Sequence, residues 1–212
     1  MLSSVVLGVA AACGAPQSPP TPVARMREVP HTELHAVADF MTIGDRADRS
    51  RALFAEAARV LMHPRCVNCH PAGDTPHQGM QLQAHDPPVV RGPDNHGVPG
   101  NECTTCHQER NQELPRVPGA PRWHLAPIEM AWAGKSASSI CNQIKDPRRN
   151  GGKTLAQIVD HSAHDELVAW GWHPGHDREP APGTQEQFGA LVAAWADTGA
   201  ECPSESAGGA AR

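Results

Sequence analysis

Between Pro71 and Met130 the chain carries ten prolines, interspersed with Gly, Asn and Asp, and no other feature limits the fold as strongly. Proline has no backbone N–H and a fixed φ, so neither a helix nor a central strand runs through such a segment. A loop of that length is out of place in a compact domain unless it wraps something. Composition points the same way. The 212 residues are 39% hydrophobic, contain no Tyr, and hold Phe only at Phe40, Phe54 and Phe188. A chain so poor in large core residues needs a disulfide, a metal or a cofactor to fold around. Its net charge of −5 supplies no basic face for nucleic acid.

Two five-residue motifs identify what the loop could wrap. Cys66-Val67-Asn68-Cys69-His70 and Cys103-Thr104-Thr105-Cys106-His107 are both complete C-x-x-C-H sequences. Two thiols three positions apart on one helical turn can each add across a vinyl group of haem, and the following His then lies under the iron. The motifs therefore predict two covalently attached haem c groups. Cys66, Cys69, Cys103 and Cys106 would hold the porphyrins, and His70 and His107 would be the proximal iron ligands. A four-cysteine zinc site has the same C-x-x-C spacing, but it treats both histidines as accidents.

The remaining cysteines fit an exported protein. An apolar run from Val5 to Ala12 ends in small residues just before Cys13, followed by Gly14 and Ala15. Residues 1–13 read as a signal peptide of lipoprotein type, with Cys13 as the lipidated residue. The absence of Lys or Arg before the run, and Ala10 where Leu is usual, depart from that pattern, and an ordinary signal peptide is the alternative. Membrane association is then expected only through a lipid anchor. Cys141 and Cys202 are left over, and in an oxidising compartment two such thiols favour a disulfide.

The rest of the chain reads as helix and coil. Residues 14–45 form a Pro-rich linker and N-terminal extension, 46–203 the dihaem domain and 204–212 a disordered tail. Leu53, Phe54, Ala57, Val60 and Leu61 share one face of a helix at about 46–62. Ser136–Ile144 is a short helix around Cys141. Capping boxes at Thr154–Gln157 and Thr184–Gln187 open two more helices, and Ser162 is expected to cap another. No run sustains strand alternation, so the class is mostly α with extensive coil.

Whether each iron has a sixth ligand decides between electron carriage and catalysis. The sequence holds eleven further His residues, with Met62, Met80 and Met130 among the thioethers. His161 and His164 stand out, one turn apart at the junction of two capped helices. His124 and Met130 follow, in the segment between Trp123 and Trp132.

The lead helix running into C-x-x-C-H, with the late amphipathic helix from Phe188 to Thr198, resembles the ends of class I cytochromes c. The second motif follows too soon for two complete class I domains, or for the wide motif spacing of dihaem cytochrome c peroxidases. The segments LMHPRCVNCHPAGDTPHQG, PRWHLAPIEMAWAGKSASSICNQIKDPRRNGG and HDELVAWGWHPG are similar to a family of bacterial dihaem proteins labelled isoquinoline 1-oxidoreductase subunits, over roughly residues 50–203. The resemblance implies cytochrome c-like helices wrapped around two haems, and a molybdenum hydroxylase as redox partner. The expected role is periplasmic electron transfer. Its rivals are a dihaem redox enzyme such as a peroxidase, with one open haem site, and a haem-bearing sensor or assembly factor.

Overall fold

The computed structural model describes residues 27–205. The expected signal peptide and lipidation site Cys13, most of the Pro-rich linker and the tail beyond residue 205 lie outside the described residues. The fold is mostly helical with few strands. Among the described residues seven α-helices are present: α1 (Arg46–Leu61), α2 (Pro64–Val67), α3 (Cys103–Cys106), α4 (Ala137–Lys145), α5 (Leu155–His164), α6 (Glu166–Ala169) and α7 (Gln185–Asp197). None of the described helices is long and apolar enough to cross a membrane.

Helices α1, α4, α5 and α7 form the core because each carries an apolar stripe and a defined start. Asp45, Ser136, Thr154 and Thr184 cap their N-termini, each accepting a hydrogen bond from a first-turn N–H, which satisfies a donor that the helix itself cannot. Helix α7 packs against both α1 and α5. Phe54 and Trp195 meet with ring centres 4.9 Å apart, and Leu53, Val60, Ile140 and Leu191 are buried around them. At Gly189 the α5–α7 contact is too close for a side chain: an added Cβ would lie 2.6 Å from Ala163 Cβ.

Polar links fasten both ends of this core. Buried Ser50 donates to the Trp195 carbonyl at 3.2 Å and accepts from Glu201 N–H at 2.9 Å. Cys141 and Cys202 form a disulfide that ties α4 to the segment after α7. The N-terminal extension is docked from residue 31 onward, with Phe40 and Leu34 in the core. His35 stands 3.2 Å from the buried Glu56 carboxylate.

The proline-dense stretch contains two small antiparallel hairpins, β1–β2 (His77–Gln78 with Gln83–Ala84) and β3–β4 (Gly97–Val98 with Asn101–Glu102). A buried arginine organises it instead of a core. Arg91 donates to Asn95 Oδ1 and the Gly73 carbonyl, both at 3.1 Å, and to the Ala126 carbonyl. Three remote parts of the loop thus share one five-donor side chain. One cap differs from expectation. Ser162 is buried inside α5, and Asp165 caps α6 by accepting from Leu167 and Val168 N–H at 2.8 and 3.1 Å. The helix simply continues past Ser162, and the first residue free to leave helical geometry is Asp165.

Candidate functional site: two cysteine–histidine centres

The first centre begins where α1 ends. His63 caps the short α2, and Cys66 to His70 continue in helical turns, with Cys69 N–H bonding the Cys66 carbonyl at 3.1 Å and His70 N–H the Val67 carbonyl at 3.0 Å. This coil places both thiols on one side and the imidazole after them. His70 Nδ1 donates to the Met130 carbonyl at 2.7 Å, and the ring stacks on Trp132 at 3.4 Å, tilted by 6°. The Trp132 and Ala133 N–H groups bond the His70 carbonyl in return. Buried Gln143 of α4 completes the support by donating at 3.1 Å to the carbonyls on either side, Glu129 and Ala131. One amide thus holds the strap that orients His70.

The second centre repeats this plan on a different backbone. The β3–β4 hairpin leads into α3, and His107 N–H bonds the Cys103 carbonyl at 2.9 Å. His107 Nδ1 donates to the Pro118 carbonyl at 2.8 Å, and the ring lies over Trp123 at 4.6 Å, tilted by 9°. Gly119, next to that carbonyl, tolerates no side chain, because a Cβ would meet the Gln108 and Arg110 carbonyls at 2.4 Å. Asn111 Oδ1 holds this strap by accepting from Gly119 N–H at 3.1 Å and from Trp170 Nε1 at 2.9 Å.

In both centres a carbonyl occupies Nδ1, which fixes the tautomer and leaves Nε2 as a lone-pair donor. Nε2 of neither ring has a hydrogen bond among the described residues. Burial lowers the basicity of both rings, His70 to about 3. It also pushes the Cys66 thiol up to about 12 and Cys69 to about 11. Cys66 and Cys69 are thus neutral, as are both rings at neutral pH. The Cys103 thiol is close enough to add to the shift on Cys69, so the two centres adjoin. Trp123 of the second meets Trp170 edge-on at 5.0 Å.

Beside Cys66, Cys69 and His70 lies a mostly apolar cavity of about 210 Å³. Trp132, Trp170 and Ile158 line it, and so does His161. His161 borders it from α5 together with Ile158, Ser162 and Asp165, while 44% of its own side chain stays exposed. Asp165 Oδ2 lies 3.4 Å from His161 Nδ1, and that contact holds the Asp165 carboxyl well below the usual range. The other expected ligands divide. His164 is on the outer edge of α5, 75% exposed and paired with Asp160 at 2.9 Å, so it does not join the site. His124 borders the cavity, with Nδ1 on the Arg122 carbonyl at 2.5 Å and its ring 4.9 Å from His96. Met130 lines the cavity too, while its carbonyl serves His70.

The four motif cysteines are free thiols. Among the described residues no three His, Cys, Asp or Glu side chains converge as a metal-binding group, so the thiols are not gathered as a four-cysteine zinc site requires. Asn111 and Gln143 were not legible as site residues, since amides far along the chain carry no motif. No family model matches the chain, and no curated protein or solved structure matches it.

Proposed function

We propose that the chain is a dihaem c-type cytochrome that transfers electrons in the periplasm. The observation that carries this reading is the repeated pairing of a C-x-x-C helical turn with a histidine whose Nδ1 is tied to a carbonyl and whose Nε2 is free. Neither zinc binding nor a thiol redox pair requires that arrangement twice, and an iron with a neutral imidazole ligand does. The free thiols of Cys66 and Cys69 are available for thioether formation, and the Trp-lined cavity suits a flat apolar ring. Haem, once attached, supplies reversible one-electron exchange at its iron.

The protein's own residues do the rest. Cys66 and Cys69, and likewise Cys103 and Cys106, fix position. Gln143 and Asn111 hold the straps that orient His70 and His107. His161, steadied by Asp165, borders the first centre and would supply its iron with a second ligand, beside the apolar cavity walls. The adjoining motifs favour hopping between centres over two independent sites. The redox partner is a second protein, and a molybdenum hydroxylase fits the sequence resemblance. Lipidation at Cys13 would tether the carrier to a bacterial membrane.

The experiment is mass spectrometry of protein matured in a periplasm. Two haem masses should survive denaturation and acid–acetone extraction, and Cys66→Ala with Cys69→Ala should remove one. Bound zinc without covalent haem would sink the proposal. A dihaem enzyme, the rival reading, differs by showing a cyanide-binding high-spin haem in the wild type.

A further inference from the structure

The second centre has a histidine opposite its own that no motif announces. His85 follows strand β2, and its ring centre is 5.7 Å from that of His107, the planes inclined at 73°. Two imidazoles sharing one first-row metal ion at bonds of about 2 Å each have ring centres about 6 Å apart. At 5.7 Å the two rings stand close to that separation. Both rings are also prepared alike. His85 Nδ1 donates to the Pro87 carbonyl and His107 Nδ1 to the Pro118 carbonyl, each at 2.8 Å. Nε2 of His85 has no hydrogen bond among the described residues.

The backbone shows why His85 stands there. In the β1–β2 ladder His77 pairs with Ala84, and His85 N–H extends it by bonding the Pro76 carbonyl at 3.0 Å. The hairpin in turn hangs on the first motif. Asn68, inside Cys66–His70, accepts from His77 N–H at 3.1 Å through its carbonyl and donates from its side chain to the Gly79 carbonyl at 3.1 Å. The segment between the two motifs is thus anchored at one centre and delivers a histidine to the other.

We infer that His85 is the second axial ligand of the Cys103–His107 haem, which makes that iron six-coordinate with two histidines. This rests on the haem reading above. With His161 at the first centre, neither iron keeps an open position, and the chain is a carrier with no substrate site at either haem.

The test uses the matured holoprotein and its ferric electron paramagnetic resonance and optical spectra. The wild type should show two low-spin haems that do not bind cyanide. His85→Ala should keep both covalent haems, convert one of the two to high spin, and open it to cyanide. Added imidazole should restore low spin. His85→Met, which can still supply an axial atom, should keep that haem low-spin at a higher potential. His85→Ala with His161→Ala should leave both haems high-spin. Two haems that stay low-spin in His85→Ala would overturn the inference while leaving the haem reading intact. A high-spin haem in the wild type would overturn the His85 assignment or the His161 assignment. The two single variants show which, since the site whose substitution changes nothing is the open one. A wild type without covalent haem would remove both readings together.

Discussion

Asp165 performs two tasks with one carboxylate, and each oxygen has its own. Oδ1 accepts from the first N–H groups of α6, and Oδ2 lies against His161 Nδ1. A histidine steadied by a carboxylate is a stronger electron donor through its other nitrogen. Under the dihaem proposal, the haem beside it should therefore be the lower-potential member of the pair, giving electron flow a direction. Under the dihaem proposal, His161→Ala should convert one haem to high spin and raise its potential. His164→Ala, three residues away but facing solvent, should leave both ferric spectra unchanged. Asp165→Asn is the finer variant, since Asn still caps α6 while the charge on His161 is gone. It should raise the same potential without changing spin state. Redox titration monitored optically checks all three. Equal effects of His161→Ala and His164→Ala would mean that the α5 surface, not the ring, matters.

Helix α5 bears His161 on one face and meets α7 on another, so its distance from α7 sets how far His161 reaches into the cavity. Gly189 sets that distance. A Cβ there would lie 2.6 Å from Ala163 Cβ and 2.9 Å from its Cα, and backbone on the far side cannot swing away as a side-chain tip can. Gly189→Ala should therefore destabilise the holoprotein by about 1–3 kcal/mol, as overpacking does. Adding Ala163→Gly should recover part of it, since one methyl replaces the other across the contact. Denaturant titration of the two variants measures this. No loss of stability in Gly189→Ala would show that α5 and α7 separate freely. The same contact explains why Ile158 and His161 border the cavity and His164 does not. Periodicity places all three on a helix, but only the α7 contact sets the helix's rotation.

The whole molecule is held by few large residues and several long-range ties. Of these the Cys141–Cys202 disulfide spans the widest covalent loop, 61 residues, enclosing α5, α6 and α7. Its loss should cost about 2–5 kcal/mol, chiefly by freeing the unfolded chain. Cys141→Ala with Cys202→Ala should lower the thermal midpoint of the holoprotein by several degrees, while the haem spectra stay as in the wild type because neither cysteine lines the cavity. A spectrum that changes with the midpoint would place the disulfide within the site's support. Lys145 Nζ, which donates to the Ala200 carbonyl at 2.6 Å, keeps the same two segments together and limits the loss.

The four core helices were legible in the sequence. Each depends on neighbours a few residues away: an apolar stripe, and a cap at Asp45, Ser136, Thr154 or Thr184 that bonds its own first turn. Both C-x-x-C-H motifs were legible for the same reason, because their chemistry is a spacing within five residues. Tertiary structure alone decided what faces those motifs. The Met130 and Pro118 carbonyls that take His70 and His107 are backbone atoms any residue could supply. Gln143 and Asn111 are amides with no local signature, and His85 was one of eleven histidines beyond the motifs. His161 was separated from His164 only by the rotation of α5 against α7. Groups that meet across long stretches of chain leave no periodicity to read. Here they meet because a proline-rich segment, paired with itself only in short hairpins, is pinned around Arg91 and Asn68 and carried back to the helices.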